Sequence, residues 1–175
     1  LIERRIKERV AACEKGGQRC NVASFFSGLK YFEIAQMDLF TRLIVADYTM
    51  PKDRIFARMN LDDEEFRLYD RLYHLLTARL PKPDLVIYLE GSVETCLRRI
   101  RLRGREFERS IDPGYLQRLK EAYNAFFYRY SETPLLVVNT DEIDFVNKTE
   151  DFNNLVQQIA RARGGTQVYV PLGSG

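Results

Sequence analysis

The sequence predicts an α/β fold in which a parallel sheet lies between two layers of helices. Three short apolar runs lie far apart along the chain and indicate strands: Leu43–Ala46, Leu85–Leu89 and Leu135–Val138. The segments between them have helical periodicity, and connections of that length join parallel strands. The runs are continuous rather than alternating, which is typical of strands buried on both faces. Three-layer α/β/α packing is therefore expected.

The first half of the chain combines predicted helices with the first strand. Gly16-Gly17 would end the first helix, and Pro81 and Pro83 would end the last one. In order, we expect a helix over Leu1–Lys15, a helix over Asn21–Gln36, the strand Leu43–Ala46, a loop around Pro51, and a helix from Asp62 or Asp63 to Arg79.

The second half alternates strands and helices more regularly. After the strand Leu85–Leu89, the turn Glu90-Gly91-Ser92 places Ser92 at a helix N-cap, with Glu94 in the first turn. The remaining elements are predicted as an arginine-rich helix, a helix from Pro113 to about Tyr130, the strand Leu135–Val138, a helix over Glu150–Arg163, and an apolar tail over Val168–Leu172.

The composition limits the possible classes of function. The 175 residues are 45% hydrophobic and 30% charged, with a formal net charge of +2. No apolar run approaches the roughly 20 residues of a membrane span, and the net charge does not indicate nucleic-acid binding. Cys13, Cys20 and Cys96 lack metal-site spacing, so free thiols in a reducing cytoplasm are expected. For His74, the only histidine, we expect a structural role.

Arginines are concentrated in and after the helix that follows the second strand. Arg99 and Arg103 are four positions apart and share a helix face, and Arg105 follows just past Gly104. The planar guanidinium fork matches phosphate oxygens, so this arrangement favours a phosphate clamp. A solvated basic face is the alternative, and RNA binding is a weaker one. The full set is Arg98, Arg99, Arg101, Arg103, Arg105 and Arg109.

Polar residues follow each predicted strand. Asp47 follows the first, Glu90-Gly91 the second, and Asn139–Asp141 the third. Because ligands of open parallel sheets bind beyond the carboxyl ends of the strands, these positions are expected to lie at a binding site.

Four segments together resemble the deoxynucleoside kinase family, most closely its bacterial deoxyadenosine and deoxyguanosine kinase-like members. The segments are VADYTMPKDRIFA, PDLVIYLEGSVETCLRRIRLRGR, PLLVVNTDEIDF and the tail GGTQVYVPL. The similarity runs from Asn21 to Leu172, and we expect a kinase-like domain over residues 21–175 after an unplaced helix within residues 1–20. The resemblance implies a P-loop nucleoside and nucleotide kinase-like fold.

The resemblance also implies an activity. It is the ATP-dependent phosphorylation of the 5′-hydroxyl of a purine deoxynucleoside in nucleotide salvage, with Mg²⁺ as the metal ion. The protein is expected to be a cytoplasmic homodimer that binds neither nucleic acid nor membranes. The segment RIRLRGR resembles the family's lid, so Arg99, Arg103 and Arg105 would hold the phosphates of ATP and act in catalysis. Glu108 would contact the deoxyribose 3′-hydroxyl; the residues alone equally allow a solvated lid residue.

The resemblance assigns further residues to the two substrates. Asp47 would lie near Mg²⁺ and the 5′-hydroxyl, and Asp53 would orient the base. Read without the resemblance, Asp47 could cap a helix and Asp53 could pair with Arg54. Asn139–Phe145 resembles the loop on the adenine of ATP, with Asp141 and Phe145 next to the base. On the helix predicted after Cys20, Asn21 and Lys30 take the positions that read the nucleoside base.

One family motif does not occur in the sequence. No G-x-x-x-x-G-K-[ST] phosphate loop is found in residues 1–175, and no early strand with the family's glutamate base is identified. Two hypotheses remain: the chain is a fragment of a longer kinase, which its start at Leu1 favours, or it is a non-catalytic kinase-fold subunit that acts in binding or assembly.

Overall fold

A computed structural model describes residues 20–23, 43–46, 49–78, 80–108 and 110–171. The chain divides into two compact units, Leu1–Pro81 and Lys82–Gly175. In both units every strand pair described is parallel, as the sequence predicted.

The first unit contains a two-stranded sheet. Strand β1 (Cys20–Ala23) pairs in parallel with β2 (Leu43–Ala46), with Asn21 opposite Ile44. The prediction of a helix starting at Asn21 is therefore wrong over Asn21–Ala23, because pairing with a distant strand overrides local periodicity. The rest of that prediction and the helix over Leu1–Lys15 lie outside the described residues.

Helix α1 (Met50–Asn60) occupies the segment predicted to be a loop. The prediction was wrong because Pro51 lies in the first turn, where its missing N–H would have no helical acceptor and its fixed φ favours the helix. Its buried residues are Ile55 and Ala57.

Helix α2 (Asp63–Thr77) agrees with the predicted helix and begins with a complete capping box. Asp62 accepts hydrogen bonds from the amides of Glu64 and Glu65 at 2.8 and 2.9 Å, and Glu65 accepts from the amide of Asp62 at 3.0 Å. The apolar stripe of α2 is not buried, since none of its residues is buried and Leu75 is 74% exposed.

The second unit contains a three-stranded parallel sheet in the order β3-β4-β5. The predicted strands at Leu85 and Leu135 are confirmed within one residue, whereas β5 lies where only an apolar tail was expected. The elements are β3 (Val86–Glu90), α3 (Val93–Arg103), a 3-10 turn (Glu106–Glu108), α4 (Pro113–Tyr128), β4 (Leu135–Asn139), α5 (Thr149–Arg161) and β5 (Thr166–Tyr169).

The sheet of the second unit is covered on both faces. On one face, Val86 and Leu135 pack with Phe127 of α4. On the other, Leu136 and Val138 pack with Leu155 of α5 and with the loop after β4. The three-layer arrangement predicted for the chain is thus present in this unit. In the part of the chain that is described, no helix combines the length and apolarity needed to cross a membrane.

Candidate active site

The carboxyl ends of β3 and β4 meet at one edge of the sheet. Glu90 lies opposite Asn139 in the parallel register, and the amide of Thr140 donates to the carbonyl of Glu90 at 2.8 Å. One step further, the amide of Ser92 donates to Asp141 Oδ1 at 2.7 Å. The structure therefore brings Glu90-Gly91 and Asn139–Asp141 together, as the sequence predicted.

Helix α3 starts at this edge because of its N-cap. The hydroxyl of Ser92 accepts a hydrogen bond from the amide of Thr95 at 3.1 Å, as expected for the predicted cap. The helix ends at Gly104, whose φ of 70° is the left-handed conformation that glycine adopts readily. The three lid arginines predicted from the sequence thus lie on the last two turns of α3 and just after it.

Arg99 binds the loop that follows β4. Its Nη1 donates to Thr140 Oγ1 at 2.7 Å, and its Nη2 donates to the Thr140 carbonyl at 2.5 Å and to the Ile143 carbonyl at 3.4 Å. The guanidinium also lies 5.9 Å from the centre of the Phe145 ring. Burial lowers the pKa of Arg99. These contacts connect Arg99, which is predicted to bind phosphate, to the loop predicted to bind adenine.

Thr140 is the residue of this edge that sequence reasoning did not single out. It is 1% exposed, and its hydroxyl donates to the Glu90 carbonyl at 2.8 Å while accepting from Arg99. The only available signal was its position directly after a predicted strand, which does not distinguish it from Asn139 or Asp141.

The side chain of Glu90 is held from helix α4. Asn124 Nδ2 donates to Glu90 Oε1 at 3.2 Å, and Lys120 Nζ lies 3.8 Å from the same oxygen. Tyr88 completes this network by donating from its hydroxyl to Asn124 Oδ1 at 2.9 Å. Helix α4 therefore fixes the side chain at the end of β3, and Arg99 fixes the loop that follows β4.

Two carboxylates of the loop after β4 are stabilised in their ionised form. Burial by itself raises the pKa of Asp141, but hydrogen bonds from Ser92 and Thr95 and the charge of Lys120 outweigh it, and the pKa is lowered. The pKa of Asp144 is also lowered, because Asn147 and Val146 donate hydrogen bonds that outweigh burial.

Phe145 lies in the hydrophobic core beneath this loop. It is 5% exposed and packs with Val138, Ile143 and Leu155. Its predicted contact with adenine, like that of Asp141, stays a prediction.

Arg103, Arg105 and Glu108 form a second cluster just beyond the end of α3. Arg103 Nε and Nη2 donate to Glu108 Oε2 at 3.0 and 2.6 Å, and Arg105 Nη1 lies 3.6 Å from Oε1. Two arginines predicted to bind phosphate and one glutamate predicted to bind the sugar are thus in direct contact. The side chain of Glu108 is 13% exposed, so it is not the solvated residue of the alternative interpretation.

The predicted base-binding residue Asp53 lies in the first turn of α1. Burial raises its pKa. Burial, followed by the charges of Asp53 and Tyr73, also raises the pKa of Tyr69 on α2 to about 12. Arg54, the alternative partner of Asp53, pairs with Asp70 at 2.6 Å. The negative charge of Asp53 therefore acts on the Tyr69 hydroxyl of α2.

For three other predicted site residues the structure describes the backbone alone or nothing. Asn21 lies in β1, not on a helix as expected, and its side chain is not described. Lys30 and Asp47 lie outside the described residues. Thr49, not Asp47, is the N-cap residue of α1.

The described residues contain no group of three His, Cys, Asp or Glu side chains that could hold a metal ion. A Mg²⁺ ion bound mainly by nucleotide phosphates needs only one or two protein carboxylates. The acidic residue predicted for that role is Asp47.

Comparison with known proteins settles the family. The family model for deoxynucleoside kinases matches residues 21–162. This chain belongs to the deoxynucleoside kinase family. The resemblance to the deoxynucleoside kinase family is thereby confirmed.

Sequence identity to individual members of the deoxynucleoside kinase family is moderate. The deoxyguanosine kinase of Bacillus subtilis (strain 168) is 37% identical over 120 residues, which are 66% of this chain and 58% of that protein. The deoxyadenosine kinase of Lactobacillus acidophilus is 33% identical over 129 residues, 66% of this chain and 60% of that protein. The chain thus spans less than two thirds of the length of these relatives.

A solved deoxynucleoside kinase supports the fold. The structure of deoxyadenosine kinase from M. mycoides with bound dCTP matches with a TM-score of 0.60 and 26% identity, over 67% of this chain and 64% of that one. The parallel sheets with helices described above are consistent with the P-loop kinase-like α/β fold predicted from the sequence.

Proposed function

We propose that the protein transfers the γ-phosphoryl group of ATP to the 5′-hydroxyl of a purine deoxynucleoside in nucleotide salvage. The observation that carries this proposal is that α3, which starts at the carboxyl edge of a parallel sheet in a deoxynucleoside kinase family chain, carries Arg99 and Arg103 and is followed by Arg105. The two relatives named above are a deoxyguanosine kinase and a deoxyadenosine kinase, which supports a purine substrate.

The arginines supply charge where phosphoryl transfer needs it. Negative charge spreads over the oxygens of the transferring group, so positioning and electrostatic stabilisation provide most of the rate. Arg103 and Arg105 end in a partly exposed cluster, with side chains 47% and 42% exposed, and are the residues proposed to bind the phosphates. Arg99 holds the loop after β4 and orients the donor site through it.

The remaining assignments follow the same proposal. Asp141 and Phe145 would contribute to the adenine subsite, and Asp47 would be the carboxylate that binds Mg²⁺. Glu108, Asp53, Asn21 and Lys30 would bind the deoxynucleoside. A Mg²⁺ ion bound there would neutralise phosphate charge. No residue of this chain is assigned as the general base.

We extend the proposal to a cytoplasmic homodimer. The support is the exposed apolar face of α2, which is a candidate for burial against a second copy. Its members are Leu68, Leu72, Leu75 and Leu76, with exposures between 51% and 74%.

A second candidate is a non-catalytic kinase-fold subunit. The sequence feature that favours it is the absence of a G-x-x-x-x-G-K-[ST] motif from the 175 residues. Such a subunit would retain the fold for binding or assembly.

One experiment separates the two candidates. The protein, expressed from its complete coding sequence, is titrated with ATP–Mg²⁺ and with deoxyguanosine or deoxyadenosine by calorimetry, and ADP is measured in parallel. The kinase predicts binding of both ligands and ADP release that requires the deoxynucleoside. Binding of neither ligand and no ADP would contradict it and favour the non-catalytic subunit.

A further inference from the structure

The carboxylate of Glu108 bridges two arginines. Its Oε2 accepts from Nε and Nη2 of Arg103 at 3.0 and 2.6 Å, and its Oε1 lies 3.6 Å from Nη1 of Arg105. The arginine side chains are 47% and 42% exposed, whereas that of Glu108 is 13% exposed. The carboxylate is therefore the inner member of the cluster.

The backbone after α3 turns Glu108 back toward the helix end. Gly104 ends α3 with a φ of 70°, and the 3-10 turn Glu106–Glu108 follows directly. The amide of Glu108 donates to the Arg105 carbonyl at 3.1 Å, and its carbonyl accepts from the amide of Ile111 at 3.3 Å. Both backbone groups of Glu108 are thus hydrogen-bonded, so the local fold places this residue beside the end of α3.

The same donors cannot serve the carboxylate and a phosphate together. Nε and Nη2 of Arg103 form one of the two edges of the guanidinium that can bind an anion in a bidentate manner, and Glu108 uses both nitrogens. With Glu108 in place, one negative charge also offsets two positive charges. A polyphosphate that binds Arg103 in this manner must therefore displace the carboxylate.

We propose that Glu108 couples the two substrate sites by competing with the donor polyphosphate for Arg103 and Arg105. This inference rests on the proposed function, in which the arginines bind phosphates and Glu108 accepts a hydrogen bond from the deoxyribose. Binding of the nucleoside draws the carboxylate away from the arginines, which strengthens polyphosphate binding. Because coupling between binding sites is reciprocal, polyphosphate binding strengthens nucleoside binding by the same factor.

The competition is tested with inorganic tripolyphosphate, whose binding needs neither the adenine subsite nor turnover. Calorimetry measures its Kd for the wild type, for Glu108→Gln, and for the control Glu106→Gln. Glu106 is exposed in the same 3-10 turn, so the control removes the same charge without breaking the pair. We expect Glu108→Gln to bind about two- to fivefold more tightly than the wild type, the size expected for losing one partly exposed ion pair. Glu106→Gln should change binding much less.

A second titration measures the coupling. Saturating deoxyguanosine should tighten tripolyphosphate binding to the wild type by a similar factor and leave Glu108→Gln unchanged. Equal Kd values for wild type and Glu108→Gln, or equal tightening in both variants, would overturn the inference. Failure of the proposed function would give a different result. In that case no ADP would be formed from ATP and a deoxynucleoside, and this outcome does not depend on the Kd for tripolyphosphate.

Discussion

Arg99 and Thr140 show how single residues build the edge of the sheet. They are 41 positions apart, and Thr140 uses one hydroxyl to donate to Glu90 and to accept from Arg99. Because Thr140 is 1% exposed, water cannot replace a lost partner, and a buried unpaired polar group costs free energy. This residue therefore determines where the Arg99 guanidinium lies.

Replacing the hydroxyl tests this role. Thr140→Val preserves shape, so we expect a loss of about 1–3 kcal/mol in the free energy of unfolding, from the unpaired donor. In the proposed enzyme the KM for ATP should rise more than kcat falls, because the change acts through the donor loop. Thr140→Ser retains the hydroxyl and should recover most of both values. If denaturation and steady-state kinetics found Thr140→Val equal to the wild type, Arg99 would be positioned by other contacts.

The residues of the site could be predicted from the sequence as chemical types but not as contacts. Arginine spacing identified Arg99 and Arg103 on one helix face, and the strand ends identified Asp141. The pairing of Arg99 with Thr140, and of Arg103 with Glu108, depends on a distant loop and on a backbone turn at Gly104. No periodicity in the sequence encodes either contact.

At the scale of elements, local signals were the most reliable. Ser92 was predicted as the N-cap of α3 and is found there, because caps depend on a few neighbouring residues. Strand β1 and strand β5 were missed, because a short strand owes its existence to a parallel neighbour far along the chain. Helix α1 was missed because Pro51 indicates a loop unless its place in the first turn is known.

Asp141 links two of these elements and makes their contact dependent on pH. Its carboxylate accepts from the amide of Ser92, before α3, and its pKa is lowered. A lowered pKa means that the ionised form stabilises the fold at pH values above the ordinary value of 3.8, and that this contribution is lost as the pH falls through the folded-state pKa.

Asp141→Asn should remove that pH dependence. Urea titrations from pH 7 to pH 3 should show the wild type more stable near neutrality by on the order of 1 kcal/mol, with the difference shrinking below pH 4. Glu142→Gln is the control, since Glu142 is an exposed neighbour. A difference that stayed constant over this range would show that the charge of Asp141 does not stabilise the loop.

At the scale of the whole molecule, the second unit has the predicted layers, whereas among the described residues of the first unit the apolar face of α2 is exposed. A hydrophobic pattern predicts that a face is apolar, but not whether its partner lies in the same chain. The exposed leucines of α2 are the example.

The proposed homodimer gives that face a partner. Leu75 is 74% exposed, so Leu75→Glu should leave the fold intact and lower the mass measured by sedimentation from dimer to monomer at micromolar concentration. Tyr128→Glu on α4, at a side chain 91% exposed, should leave the mass unchanged. A dimer that persists in Leu75→Glu would exclude this face as its interface.

The most direct test of a kinase that clamps phosphate with the α3 arginines is the turnover of Arg103→Ala beside that of Arg101→Ala. Both arginines lie in the last turn of α3, but Arg101 is two positions away, so it faces another direction. With ATP and deoxyguanosine, Arg103→Ala should lose roughly 10²–10³-fold in kcat, as for other single donors to a transition-state anion, and Arg101→Ala should stay close to the wild type. Unchanged turnover in Arg103→Ala would contradict the clamp.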